Sequence, residues 1–303
     1  MSEQERSYTS VKWRVYRRVR SDTIAKIGAV VVIISLLLAV FSIVDDFLLN
    51  GLIIETLLHD PYQLNPDNRL APPSLSHPFG TDEQGRDILA RVIYGTRTSI
   101  VVGVGSVLFA AIVGVSLGII TAYYGGLVDD VGMRAMDVLL AFPAILLAIA
   151  LLASLGRGFT SIILALGIAY IPSFARVTRS KALSVKSDEY VTAAEVIGYP
   201  TRDVLIDEIL PNCFTPIIVQ ATFTLAVAII AEAGLSFLGL GIEPPTPTWG
   251  IMLAGAQQYI TSAWWYSLFP GLAIMLTVLG YNLLGDSIRD ALDPQTGDGE
   301  RRL

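Results

Sequence analysis

A series of long apolar runs constrains this chain more than any other feature of its sequence. The first run, Ile27 to Val44, contains no charged residue, and with Ile24 and Ala25 before it the run is long enough to cross a hydrocarbon core of about 30 Å. Five further runs follow, at Ser99–Tyr124, Met136–Leu155, Ser161–Ala175, Phe214–Phe237 and Leu268–Gly285. We therefore predict an all-α polytopic membrane protein with six transmembrane helices, in which Pro143 is tolerated as a kink in the third.

The composition agrees with a membrane protein, and it argues against an internal disulfide framework and a metal site. Hydrophobic residues make up 53% of the chain and charged residues 16%, against roughly 25% charged in an average soluble domain. A single cysteine, Cys213, excludes an internal disulfide framework. The chain has two histidines, His59 and His77, and no cysteine cluster, so the sequence predicts no metal site.

Basic residues set the expected orientation. By the positive-inside rule, the basic segment before the first run stays in the cytoplasm. An apolar run this long exceeds the 7 to 15 residues of a signal peptide, so we expect a retained anchor. The basic residues concerned are Arg6, Lys12, Arg14, Arg17, Arg18 and Arg20 before the first run, and Arg176, Arg179, Lys181, Lys186 and Arg202 between the fourth and fifth.

Six crossings would return both termini to the cytoplasm of a cell-membrane protein. Residues 244–285 carry no charge, yet the prolines and Gly250 at their start predict a short outer or re-entrant helix before the last crossing. Trp264, Trp265 and Tyr266 are typical of a membrane interface. The expected division is a basic cytoplasmic segment (1–23), a first transmembrane helix (24–44), an extracytoplasmic loop (45–97), a transmembrane core (98–287) and a cytoplasmic tail (288–303).

The polar stretch 184–212 predicts a helix, a turn and a second helix between the fourth and fifth runs. Ser187 is a candidate cap for the first helix, and Gly198 suits the left-handed residue that ends it. Thr201 is a candidate cap for the second helix, which Pro211 would limit. One apolar stripe at helical spacing joins Tyr190, Ala193, Ala194 and Ile197. The residues alone leave two alternatives open, a docking surface and a connector that packs on its own protein.

Ala193, Ala194 and Gly198, followed by Ile209, Leu210 and Pro211, resemble the cytoplasmic coupling loop of ABC importer permeases. The resemblance implies that this loop, with Tyr190 and Ile197, docks into a groove of an ATPase subunit. Thr192 stands where that family usually has an acidic residue before the alanine pair. The family fold implied is the type I importer permease, a five-helix core with a peripheral amino-terminal helix.

Two more stretches resemble the dipeptide, oligopeptide and nickel branch of these permeases. They run from His77 through Gly80, Thr81, Asp82, Arg86 and Asp87 to Ser99, and from Glu232 through Pro245, Trp249 and Asn282 to Pro294. The resemblance implies import of peptides delivered by an extracytoplasmic binding protein, with nickel or another small solute as the alternative. We expect Asp82, Arg86 and Asp87 to hold a loop together by charge-assisted hydrogen bonds.

Ionisable residues inside spans are functional candidates because they are costly in hydrocarbon. Asp137 and Asp286 fall near span ends, where water, Arg134 or Arg289 could satisfy them. Glu232 and Asn282 lie deeper, and each is a candidate for the transport pathway or a gate, with a structural hydrogen bond as the alternative.

The chain contains no G-x-x-x-x-G-K-[ST] stretch, so ATP hydrolysis must come from other subunits. A membrane enzyme would need paired carboxylates, a histidine cluster or a nucleophile within its spans, and a stand-alone channel would need no docking hairpin. We therefore expect no catalytic residue and no bound cofactor here, with ATP and Mg²⁺ used by partners. The expected partners are a homologous permease, two ABC ATPases, a solute-binding protein and the lipid bilayer, and not nucleic acid.

Overall fold

The computed structural model describes residues 22–49 and 51–292, and within these ranges the chain is built from helices and connecting loops. The α-helices are α1 (Thr23–Leu48), α2 (Leu52–Leu57), α3 (Ile88–Tyr124), α4 (Gly126–Leu140), α5 (Ala144–Leu155), α6 (Phe159–Lys186), α7 (Glu189–Val196), α8 (Thr201–Asp203), α9 (Leu210–Phe237), α10 (Trp249–Ala256) and α11 (Trp264–Leu292). A π-helical segment, Val204–Ile209, joins α8 to α9. The predicted all-α class is confirmed.

Five stretches are long and apolar enough to cross a membrane: α1, α3, α6, the continuous run from α8 through α9, and α11. The predicted third span is different, because α4 and α5 meet at a bend of 90°. Pro143, predicted as a kink, lies at this break with ψ 130, a backbone conformation outside the helix. Proline donates no amide and disfavours helix in the residue before it, so α4 ends and a new helix begins.

The α4–α5 pair nevertheless carries the chain back along the bundle. Gly105, Gly114 and Gly118 of α3 meet successively later residues of α6, which means that α3 and α6 run parallel. The segment between them must therefore return from the end of α3 to the start of α6. The bent pair α4–α5 therefore acts as one broken span. Together with the five continuous stretches it gives six crossings.

Small residues bring α3 and α6 together. A Cβ atom on Gly114 would lie 2.6 Å from the carbonyl oxygen of Ile171, and one on Gly118 would lie 2.6 Å from that of Ala175. Glycine is the only residue that allows backbones to approach this closely. The largest buried apolar cluster forms around this contact, with side chains from α3, α5, α6 and α9.

The first helix packs at the edge of the bundle, against α11 and α3. Ile27, Ile33 and Leu37 on its other face are more than half exposed, as expected for side chains that meet lipid. The predicted basic segment and most of the predicted tail lie outside the described residues. Residues 288–292, placed in that tail by the sequence, continue α11.

Two regions outside the apolar core occupy opposite ends of α3, which at 37 residues is about 55 Å long. Its first turns, from Ile88, pack beneath the loop of residues 58–87, and its last turns pack against residues 187–209. The helix begins at Ile88 rather than Ser99, because Asp87 caps it by accepting a hydrogen bond from the amide of Ala90 at 2.9 Å. The predicted short helix of the later loop is confirmed as α10, which Thr248 caps.

Candidate functional site

The hairpin formed by residues 187–209 is the candidate site, and its first helix begins later than predicted. Helix α7 starts at Glu189, after Asp188, and not after Ser187. The hydroxyl of Ser187 donates to the carbonyl of Ser184 at 2.7 Å, so Ser187 closes the end of α6 instead of capping α7. The predicted cap is therefore wrong by one residue, because the serine hydroxyl finds a partner in the preceding helix.

The turn that ends α7 has the predicted geometry. Gly198 has φ +85, in the left-handed region that favours glycine. Its amide donates to the carbonyl of Glu195 at 3.0 Å, and the amide of Tyr199 donates to that of Ala194 at 3.0 Å. This pair of bonds is the Schellman motif, which satisfies carbonyls at the end of a helix.

The second helix departs from the prediction at both ends. Thr201 is the first residue of α8 rather than its cap, a position taken by Pro200. Pro211 does not limit the helix, because the π-helical segment leads without interruption into α9. The amide of Leu210 reaches back five residues to the carbonyl of Leu205, and this wider turn leaves room for a proline that donates no amide.

A buried apolar cluster, which we name the root cluster, fixes the hairpin to the bundle. Val191 and Val204 are 0% exposed and Ile209 is 1% exposed. They pack against buried residues at the ends of α3, α6 and α9, namely Ile119, Ala122, Ala182, Val185 and Cys213, with Ala194 and Leu210 partly buried beside them. Two residues predicted to dock, Ala194 and Leu210, therefore face the protein itself, and Pro211 is also partly buried.

The opposite side of the hairpin exposes apolar side chains, and we name it the apolar face. Ala193 is exposed, and the exposed fractions are 44% for Tyr190, 80% for Ile197, 83% for Val196 and 52% for Tyr199. Val196 and Tyr199 were missed by the sequence analysis, although both flank the Ile197–Gly198 pair in an otherwise polar stretch. An exposed group of large apolar residues is typical of a surface that binds a partner.

Tyr190 is held in place at the edge of this face. The amide of Asn212 donates to its hydroxyl oxygen at 3.0 Å and to the carbonyl of Glu208 at 2.7 Å. Partial burial raises the pKa of Tyr190, and the carboxylates of Asp188 and Glu208 raise it further. The hydroxyl thus stays uncharged at neutral pH, and the ring is positioned by the start of α9.

The polar residues predicted inside spans are placed as follows. Glu232 is 0% exposed, and its two carboxyl oxygens accept hydrogen bonds from Ser99 at 2.8 Å and Ser236 at 2.7 Å. The bond from Ser99 joins α3 to α9, and the bond from Ser236 lies within α9. Asn282 is partly buried on α11. Asp137 pairs with Arg176 at 2.6 Å, not with the predicted Arg134, because α6 runs beside α4.

Charged residues of the loop at the other end pair with one another, as predicted. The Nε of Arg86 donates to Asp82 at 2.6 Å, and a carboxylate oxygen of Asp82 also accepts the amides of Gln84 and Arg86. Arg91, in the first turn of α3, donates to the carbonyl of Pro61 at 2.9 Å. All of these bonds lie within the chain, so they account for the charged motif as a structural device.

Six crossings and a rooted hairpin with an exposed apolar face are the features of a polytopic membrane protein that binds a partner outside the bilayer. Comparison with known proteins gives the particular family. Residues 114–298 match the family described as "Binding-protein-dependent transport system inner membrane component". The chain belongs to this family and is a permease of the ABC importer class.

Similar proteins cover nearly the whole chain. A dipeptide transport system permease protein of Alkalihalophilus pseudofirmus is 43% identical over 96% of this chain and 93% of its own length. A probable D,D-dipeptide transport system permease protein of Escherichia coli is 40% identical over 89% of this chain and 87% of its own. A glutathione transport system permease protein of Escherichia coli is 42% identical over 92% of this chain and 89% of its own.

Proposed function

We propose that this chain is a permease subunit that moves peptides into the cell, driven by separate ATPase subunits that dock on the apolar face. One observation carries the proposal: the apolar residues of the hairpin are exposed at an end of the bundle where the chain is polar, so lipid is not their natural cover. Burial of apolar area is the main source of affinity between proteins, and exposed aromatic and aliphatic groups of this kind supply it.

The remaining partners complete a transporter of this class. A homologous second permease would form the other wall of the pathway, and an extracytoplasmic binding protein would deliver the substrate. For Glu232, the two serine hydrogen bonds favour the structural alternative, in which it joins α3 to α9. Asn282 remains our candidate for a pathway residue. ATP and Mg²⁺ would be bound by the ATPase subunits, since this chain has no phosphate-binding loop.

The cargo is inferred from the relatives. The three permeases described above are named for dipeptides, D,D-dipeptides and glutathione, which are all short peptides, and this favours peptides over nickel. The test is uptake by proteoliposomes that contain the complete transporter and its binding protein. We expect ATP-dependent accumulation of a labelled dipeptide and no hydrolysis of ATP by this chain alone. Uptake of radioactive nickel without uptake of dipeptide would contradict the proposal.

The orientation is also a proposal. The described start of α1 lies at the same end of the bundle as the end of α11, since Gly28 approaches Leu283 and Leu284. The hairpin lies toward this end too, since Gly285 of α11 approaches Thr222 in the first half of α9, the helix that the hairpin precedes. Arg176, Arg179, Lys181, Lys186 and Arg202 lie at or near this end, which favours the cytoplasm for it and for both termini.

A labelling experiment tests this orientation. Ser74 and Ser187 are exposed at opposite ends of the molecule, and native Cys213 is buried, so it should not react. In intact cells an impermeant thiol reagent should label Ser74→Cys and should label Ser187→Cys only after the membrane is opened. Labelling of Ser187→Cys from outside would reverse the assignment.

A further inference from the structure

We propose that His59, His77 and Asp87 bind one divalent transition-metal ion, of which Zn²⁺ is the best fit, beneath the loop at the start of α3. One ligand atom from each residue lies within 4.8 Å of the others. From the sequence we expected no metal site, because the two histidines are not accompanied by a cysteine cluster. The three residues are far apart in sequence and meet only because the loop folds back over the cap of α3.

The distances suit a site that closes around an ion with small movements. Nδ1 of His77 lies 2.8 Å from Oδ2 of Asp87, and Nδ1 of His59 lies 3.6 Å from the same oxygen. The two imidazole rings are 4.4 Å apart between centroids. In a tetrahedral zinc site with ligands about 2.0–2.1 Å from the ion, neighbouring ligand atoms are roughly 3.3 Å apart.

An unsatisfied atom points to a missing ligand. Nδ1 of His59 is buried and has no hydrogen-bond partner, although the rest of its side chain is 42% exposed. A buried polar atom without a partner is uncommon and needs a physical explanation. A metal ion on this nitrogen would supply one, and the exposed part of the ring would give the ion a path from solvent.

The other two ligands are already held in position. Oδ1 of Asp87 accepts the amide of Ala90 at the cap of α3, which leaves Oδ2 directed at the histidines. The backbone amide of His77 donates to the hydroxyl of Ser74 at 3.1 Å, and the His77 ring is held by its Nδ1, which lies 2.8 Å from Oδ2 of Asp87. Side chains fixed in this way by neighbouring hydrogen bonds are typical of functional metal sites.

The donor set selects the class of ion. Two neutral imidazoles and one carboxylate suit Zn²⁺, Ni²⁺, Co²⁺ or Cu²⁺, whereas Mg²⁺ and Ca²⁺ prefer oxygen ligands throughout. Three protein ligands leave a fourth position open for water. The ion would fasten residues 58–62, which follow α2, to the start of α3, so we assign it to the loop and not to the transport route.

The test compares the intact transporter with a His59→Gln variant, both purified without a histidine tag. His59 and His77 are the only histidines of this chain, so any imidazole site within it must use them. After incubation with Zn²⁺ and removal of free metal, we expect the wild type to retain one more zinc per copy of this chain than His59→Gln. With Co²⁺, the wild type alone should show the intense visible absorption of four-coordinate cobalt.

Two further measurements separate a metal site from a change in folding. Asp67→Asn removes an exposed carboxylate of the same loop and should bind zinc like the wild type. Without metal, His59→Gln should melt at the wild-type Tm, since the ring nitrogen makes no hydrogen bond, and Zn²⁺ should raise the Tm of the wild type only. Equal zinc content in the wild type and His59→Gln, or a cobalt spectrum that survives the substitution, would overturn the proposal.

Discussion

The two ends of this permease differ in the side chains that they place in unfavourable surroundings: the loop end buries charged side chains, and the hairpin end exposes apolar ones. At the loop end, charged side chains are buried, with exposed fractions of 1% for Asp82 and 2% for Arg91, and they pair within the chain. At the hairpin end, apolar side chains are exposed, with 83% for Val196 and 80% for Ile197. The loop end pairs Asp82 with Arg86 and Arg91 inside the chain, and the hairpin end leaves its apolar side chains for another molecule to cover.

This difference separates structural motifs from functional ones. Both stretches resemble known permeases, and resemblance alone does not say what either does. In the loop motif, the buried carboxylates of Asp82 and Asp87 accept hydrogen bonds from groups of the same chain. The hairpin is complete only when something covers its apolar face. Substitutions at the two ends should therefore differ in their effect on the stability of the isolated permease.

Asp82→Ala should have the largest effect on stability. The change leaves Arg86 and Arg91 buried without their carboxylate, and breaking a buried ion pair from one side costs about 3–5 kcal/mol. We expect strongly reduced abundance in the membrane and a lower Tm in detergent. Asp67→Ala, at an exposed position of the same loop, is the control and should leave both unchanged. A normal Tm for Asp82→Ala would show that the loop end does not depend on its buried charges.

Val191→Ala should have an intermediate effect, because it removes two methyl groups from the root cluster. The expected cost is about 2 kcal/mol for the lost burial and the resulting cavity. Val196→Ala makes the same change on the same helix at a side chain that is 83% exposed, and it should cost less than about 0.5 kcal/mol. Thermal unfolding of the two variants measures the difference. Equal Tm values would contradict the assignment of one valine to the root cluster and the other to the apolar face.

Gly198→Val should have a smaller effect. A Cβ atom at this position meets nothing within 4 Å, so the cost comes from the left-handed backbone alone and amounts to about 1–2 kcal/mol. Gly198→Asn is the matched control, because asparagine tolerates this conformation. Limited proteolysis of the hairpin should be faster in Gly198→Val than in Gly198→Asn. Identical cleavage rates would mean that the turn does not need its left-handed residue.

Local patterns predicted much of this fold. The apolar runs predicted most of the helices, and Gly198 predicted the turn that ends α7. Each of these depends on residues that are neighbours in sequence or on a property of one residue type. Asp82 and Arg86 were likewise identified as a structural pair.

Features that depend on distant contacts could not be predicted. The sequence showed that Pro143 would disturb a helix, but the 90° bend depends on how α4 and α5 pack. Pro211 looked like a helix limit because nothing in the local pattern signals a π-helical turn. Ala194 belongs to the predicted stripe, yet only the fold shows that it faces the root cluster. His59 and Asp87 come together only through the folded loop.

Ala193→Glu tests the central claim that the apolar face docks an ATPase subunit. Ala193 is exposed, so the variant should match the wild type in abundance, Tm and association with the second permease. In the assembled transporter the added carboxylate would be buried without a partner, which costs several kcal/mol. Thr192→Glu adds the same charge at the preceding exposed position, which is not part of the apolar face, and it should be tolerated.

The deciding measurement is ATP-dependent dipeptide uptake by transporters that contain each variant, at equal permease abundance. The account predicts that Ala193→Glu loses uptake, substrate-stimulated hydrolysis and copurification of the ATPase together, while Thr192→Glu keeps all three. Wild-type uptake by Ala193→Glu would contradict it, and the hairpin would then be a connector between two membrane spans.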